Sequence, residues 1–186
     1  MKRLTVTDLP LPGLKLIERQ HLGDTRGFLS RLFCADELAE AGWNGPVAQI
    51  NQTVTRGRGA VRGMHIQYPT HAETKLVSCL HGAVFDVAVD LRKGSPTFLR
   101  WHAQELSAEN RLALLIPTGF AHGFQALSDD CELLYVHSAR YVAAAEGGLG
   151  PLDPALAITW PLAISEISGR DAGHPQVGPD FEGMTL

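Results

Sequence analysis

The stretch Leu115–Phe124, LIPTGFAHGF, decides how this chain is read. An apolar run ends at Pro117, which has no amide proton to offer a sheet ladder. Gly119 follows two residues later, so the backbone turns there. Beyond the turn a second apolar run begins and is interrupted by His122. Two short strands joined by a turn is the simplest account, and the same punctuation recurs along the chain. Nineteen Gly and 11 Pro separate short apolar runs, which is the pattern of many strands rather than of long helices.

Working outward, strands are expected at Leu14–Arg19, Ser30–Phe33, Val47–Thr55, Gly59–Gln67, Glu73–His81, Ala83–Asp90, Arg100–Leu106, Arg111–Ile116, Ala121–Ala126 and Glu132–Ala139. Helix signals are few. Ala35–Ala41 (ADELAEA) is rich in helix formers and predicts about two turns. Ala108–Asn110 follows Ser107, a capping residue type, and a further short helix near the C-terminus is compatible with the composition. Strands at this spacing predict an all-β sandwich or jelly-roll barrel with a few short peripheral helices. With 186 residues and no linker or repeat, one domain spanning 1–186 is expected.

Composition narrows the function. Hydrophobic residues make up 45% and charged residues 19%, and the formal charge of −4 lacks the basic excess of a nucleic-acid surface. A single phosphorylated ligand stays compatible, because a few local arginines hold a diphosphate on an acidic protein. Cys34, Cys79 and Cys131 form no C-x-x-C pair, so reduced thiols in a cytoplasmic protein are expected. No stretch reaches the roughly 18 apolar residues of a membrane helix, and the first residues lack the apolar segment of a signal peptide.

Alternation within the strands points to a polar interior. Gln49, Asn51 and Thr53 share one face of their strand, with Ile50 and Val54 on the other. Lys75 shares a face with Val77 and Cys79, and Gly63, His65 and Gln67 lie together. A lysine aligned with apolar neighbours points into a barrel, and three such strands read as the lining of a ligand cavity. The competing reading is that each polar face is simply solvated.

Leu115–Phe124 contains P-x-G-x-x-H, which resembles the second of the two motifs that mark cupins. The first motif would supply an H-x-H pair, whereas RGMHIQY (62–68) has only His65, with Gln67 in the second position. His65 and His122, with Glu73 as a distant third, are a poor metal set. The expectation is therefore no metal, no cofactor, and chemistry done by side chains. The ordered succession RGMHIQ, ETKLV, FDVAVDLRKGSPTF, IPTGFAHGF and LDPALAITWP resembles the dTDP-4-dehydrorhamnose 3,5-epimerase family, from about Asp24 to Pro175.

That resemblance implies an epimerase acting on C3 and C5 of dTDP-4-keto-6-deoxyglucose. It implies His65 as general base, Tyr135 as the acid on the opposite face, Lys75 as stabiliser of the enolate oxygen, and Asp171 as partner of the base. Arg26, Arg31, Gln49, Asn51, Arg62, His122, Glu146 and Arg170 fall at substrate-contact positions, and Tyr141 at an aromatic position that stacks on thymine. The residue types suit the chemistry. The protons beside C4 are acidic only because the carbonyl takes the charge, so a cation at that oxygen is the largest lever. A histidine titrates near neutrality, and a tyrosine with a pKa of about 10 stays protonated. Arginines suit a diphosphate.

The chain also departs from the family pattern. Arg31 stands where R-G-F-x-x-E has Glu, Ala143 where Pro is usual, and GLGPLDP lacks an aromatic before Asp-Pro. Histidine is common here (His71, His81, His102, His137, His174), so only its motif singles out His65. Three alternatives stand beside the main reading: an epimerase of one carbon or of another nucleotide-linked sugar, a non-catalytic nucleotide-sugar-binding cupin, and a metal-dependent cupin. The expected partners are a nucleotide sugar and, by resemblance, a second copy in a homodimer that exchanges N-terminal strands, with neither nucleic acid nor membrane.

Overall fold

The computed structural model describes residues 2–186. Thirteen strands occur in chain order: β1 (Leu4–Asp8), β2 (Lys15–Arg19), β3 (His21–Asp24), β4 (Gly27–Ser30), β5 (Gln49–Arg56), β6 (Val61–Gln67), β7 (Lys75–His81), β8 (Ala83–Asp90), β9 (Trp101–Ser107), β10 (Leu112–Ile116), β11 (Phe120–Ala126), β12 (Asp130–His137) and β13 (Glu146–Gly148). Two short helices, α1 (Ala35–Ala39) and α2 (Gly169–Ala172), lie outside the sheets. One sheet has the order β1-β2-β10-β7-β12-β5 and the other β13-β6-β11-β8-β9, while β3 and β4 form a separate hairpin. Neighbours are antiparallel and mostly not consecutive in sequence, as in a jelly roll whose connections cross between sheets.

Burial explains the layering. Val77, Cys79, Val84, Ala88, Leu106, Leu114, Phe124 and Leu133 meet between the sheets with almost no exposure. Each large side chain there contributes roughly 1.5–3 kcal/mol by leaving water. The outer face of the first sheet is covered by Leu38, Ala41 and Trp43 from α1 and the turn after it. The outer face of the second is covered by Leu149, Leu156 and the partly buried Ile158, Trp160 and Phe181. With both outer faces covered, the polar residues of the inner faces collect at the end of the barrel that the apolar core leaves open.

Several local expectations need correction. Ser30–Phe33 is not a strand. The chain makes the β3–β4 hairpin instead, turning at Gly27 (φ +139°), and Arg31 leaves the ladder to pair with Glu37 of α1. The hairpin escaped notice because Leu22, Phe28 and Leu29 are all exposed, so no inward and outward faces alternate. Strand β1 was missed for the same reason: four of its five residues are exposed. Strand β13 is three residues with two glycines, a composition with little strand preference. After Ser107 the chain forms a turn, not a helix. The Ser107 hydroxyl accepts from the Asn110 amide while the Asn110 side chain accepts from the Ser107 amide. The C-terminal helix is α2, capped by Ser168, which accepts from the Asp171 amide at 3.1 Å.

One close approach governs the second sheet. The ladder between β6 and β11 shifts register between His122 and Phe124, where Gly63 (φ +127°) lies against Gly123. A Cβ on Gly63 would sit 2.5 Å from the Gly123 Cα, which no backbone tolerates. Gly63→Ala is expected to destabilise the fold by about 2 kcal/mol or more, through the positive φ and the backbone clash together. A urea titration checks this, and an unchanged midpoint would contradict it.

Candidate active site

A cavity of about 340 Å³ opens between the two sheets. The first sheet contributes Gln49, Asn51 and Thr53 from β5, Lys75 from β7, and Tyr135 and His137 from β12. Register makes these neighbours: Tyr135 stands between Asn51 and Val77, and His137 between Gln49 and Lys75. The second sheet faces them with Arg62, His65 and Gln67 from β6, His122 from β11 and Glu146 from β13. His65 and His122 are cross-strand partners. Tyr141 and Arg170 complete the lining at its exposed mouth.

His65 is held from behind. Its Nε2 lies 2.8 Å from the Asp171 carboxylate, which also accepts the Gly63 amide at 3.0 Å. Burial pulls the His65 pKa below its ordinary value, and Asp171 only partly opposes that. Burial alone would raise the Asp171 carboxyl, but the hydrogen bonds from His65 and Gly63 hold it below the usual range. The pair is thus a neutral imidazole beside a carboxylate. With Nε2–H donated to Asp171, Nδ1 keeps the free lone pair. Asp171 lies 106 residues beyond His65 and comes to it through α2.

Tyr135 stands on the other wall. Burial, assisted by the negative charge of Asp86, pushes its phenol well above the ordinary value, so it keeps its proton. Its ring meets His122 edge-on at 5.7 Å and stacks against His137 at 5.9 Å. His122 Nε2 sits 2.9 and 3.0 Å from the two oxygens of the fully buried Asp86. Burial drives the Asp86 carboxyl upward against the pull of His122. At the mouth, the Tyr141 hydroxyl donates to Glu146 at 2.6 Å and Arg170 donates to the same carboxylate at 2.5 Å.

Ten of the sequence-derived site residues line this cavity, and Asp171 stands directly behind His65. Arg26 and Arg31 do not reach it. Arg26 is tied to Asp24 in the β3–β4 hairpin at 2.5 Å, and Arg31 to Glu37. Nor do His65, His122 and Glu73 converge as ligands. Glu73 binds His137 and Lys75 instead, and among the described residues the donor atoms that gather within 4.8 Å of one another are those of His65, Asp171 and His174.

Sequence reasoning missed Asp86 and His137, and weighed Glu73 only as a ligand. Asp86 had a signal: in FDVAVD it shares a face with Ala88, and a carboxylate among small inward residues needs a partner. His137 had none of its own, because its place follows from its register with Lys75.

A jelly roll whose two sheets bring histidine, tyrosine and lysine side chains into one cavity is a cupin-type fold. The chain belongs to the dTDP-4-dehydrorhamnose 3,5-epimerase family, whose sequence profile matches residues 8–178. It is 40% identical over 174 residues to a Sinorhizobium fredii protein of that name, covering 91% of this chain and 87% of the relative. It is 42% identical over 164 residues to a dTDP-4-dehydrorhamnose 3-epimerase of Streptomyces niveus, covering 88% and 79%. The solved epimerase of Legionella pneumophila, in complex with dTDP-4-keto-L-rhamnose, superposes with a TM-score of 0.90 at 36% identity, covering 98% and 99%.

The geometry makes a direct spectroscopic prediction. His65 titrates below the ordinary histidine value of about 6.5, and Asp171→Asn lowers the midpoint further, because the lost carboxylate was the influence raising it. Histidine NMR across pH 4–8, on the order of a few units either side of that value, reads both shifts. A wild-type midpoint above the ordinary value would overturn the reading.

Proposed function

We propose that this chain, acting as one domain, is a sugar-nucleotide epimerase that inverts C3 and C5 of dTDP-4-keto-6-deoxyglucose. The supporting observation is that His65 and Tyr135 enter one cavity from opposing sheets, with Lys75 in the same cavity. In this reading His65 Nδ1 removes the proton from the carbon beside the carbonyl. The C–H electron pair becomes the new C=C bond, the carbonyl π pair moves onto the C4 oxygen, and the Lys75 ammonium meets the resulting enolate. The electrons then return, and the Tyr135 hydroxyl delivers a proton to the opposite face of the same carbon. Solvent takes the proton from His65 and restores the one lost by Tyr135. A second passage acts on the other carbon. Asp171 keeps His65 in the reactive tautomer, and no step calls for a metal or an organic cofactor.

Around this centre, Arg62 and Arg170 suit the diphosphate, with Gln49, Asn51, His122 and Glu146 as further polar contacts and Tyr141 as a platform for the base. A relative 42% identical and named a 3-epimerase favours a second reading, in which one carbon alone is inverted. Incubation in heavy water separates the two readings: deuterium at both C3 and C5 of recovered keto sugar supports the first, deuterium at C3 alone the second. His65→Ala should lower exchange by about 10²–10⁴-fold with dTDP affinity nearly unchanged. Tyr135→Phe should permit exchange while blocking inversion. Full activity in either variant would end the proposal.

The same reading carries a cytoplasmic homodimer. Its support is the exposed apolar surface: Phe28 and Leu29 are 65% and 68% exposed on the hairpin, and Ile50 is 59% exposed on edge strand β5. Covering these residues with a second copy would bring the hairpin that bears Arg26, and Arg31 just after it, close to a neighbouring cavity. Phe28→Asp together with Ile50→Glu is expected to give monomers in sedimentation experiments. A double variant that still sediments as a dimer would contradict this interface.

A further inference from the structure

Lys75 is buried, and among the described residues its one ion-pair partner is Glu73, with Nζ 3.3 Å from a carboxylate oxygen. The Glu73 side chain is itself 8% exposed. It is held on two more sides: Gln67 Nε2 donates to it at 3.1 Å, and His137 Nδ1 lies 3.1 Å away. Gln67 also donates to the carbonyls of His71 and Arg140, so it ties the end of β6 to the loops on both sides of the carboxylate. His137 is the cross-strand partner of Lys75 in the β7–β12 ladder, which brings cation, carboxylate and imidazole together by register. None of Glu73, His137 or Gln67 is used by the acid, the base or the enolate contact described above. All three line the cavity.

We infer that Glu73 is a positioning residue: anchored by His137 and Gln67, it holds the Lys75 ammonium where that group meets the developing oxyanion. This rests on the reading of Lys75 as the enolate stabiliser. A long flexible side chain buried without a partner would be costly and poorly placed, and a preorganised cation is what lowers the barrier. An ammonium has three donors, so one bond to Glu73 leaves two for the cavity. Burial would raise the Glu73 carboxyl, but His137 and Lys75 hold it below the usual range, so it stays ionised and acceptor-only. Sharing that charge among three donors limits how far it offsets Lys75. The other ionisable groups facing Lys75 are His65 on β6 and Asp86 on β8.

The test compares Glu73→Ala with Glu73→Gln in the full chain. Three measurements are made: the deuterium exchange rate of the keto sugar, dTDP affinity by calorimetry, and acylation of Lys75 by an amine reagent, followed by mass spectrometry. Glu73→Ala is expected to lower the exchange rate about 10–100-fold with dTDP affinity within about twofold, and to speed Lys75 acylation several-fold. An uncompensated buried ammonium gives up its proton more easily. Glu73→Gln keeps an acceptor oxygen without the charge. It should recover most of the rate at neutral pH while its activity declines at lower alkaline pH than the wild type. Wild-type rates and wild-type acylation in Glu73→Ala would overturn the inference, as would equal losses of rate and dTDP affinity. A wild type that exchanges no deuterium, in which Glu73→Ala still speeds acylation, would remove the epimerase reading and leave the positioning of Lys75 standing.

Discussion

Strands β6 and β11 run so close at Gly63 and Gly123 that neither position has room for a Cβ. A methyl on Gly123 would meet the Arg62 carbonyl at 2.7 Å and the Met64 sulfur at 2.6 Å. This contact shifts the ladder by a residue and sets His65 opposite His122 on the inner face. It also directs the Gly63 amide to Asp171, so the carboxylate that orients His65 is fixed by the same turn of backbone. The R-G-x-H and A-H-G strings are two halves of one packing arrangement, although nearly sixty residues separate them.

With His65 and His122 fixed, the rest of the interior follows from the cost of burying charge. Three ionisable groups there are paired: His65 has Asp171, His122 has Asp86, and Lys75 has Glu73 with His137 behind it. Asp171 and Asp86 come from the helix and the strand that pack against their histidines, whereas Glu73 precedes Lys75 by two residues and is fixed by His137 of β12. The result is a cavity in which the His65 imidazole stands on one sheet and the Tyr135 phenol and Lys75 side chain on the other, each held in place before any ligand arrives. Such preorganisation is where most of a proton-transfer enzyme's advantage resides.

The barrel strands were legible because their alternation is real. One face of each meets the core or the cavity, and the other meets a covering segment or solvent. Lys75 beside Val77 and Cys79, and Gln49 beside Asn51 and Thr53, read as inward from the sequence pattern alone. The β3–β4 hairpin does not. Its apolar residues Leu22, Phe28 and Leu29 are exposed, so no inward and outward faces alternate along it. Arg31 illustrates the same limit: its pairing with Glu37, which also accepts the Arg3 and Leu4 amides, follows from how α1 docks and not from its own strand.

The sequence by itself determined the strand-rich architecture, the family, and the identities of His65, Lys75 and Tyr135. These are local properties: periodicity along a strand, glycines flanking a histidine, and the order of short strings. The resemblance also gave Asp171 as the partner of His65, and the structure closes that pair across 106 residues. Only the tertiary structure decided that Asp86 reaches His122 across 36 residues and that Glu73 gains His137 across 64. Those distances close through strand register and the docking of α2, and register is a property of paired strands that no single strand contains.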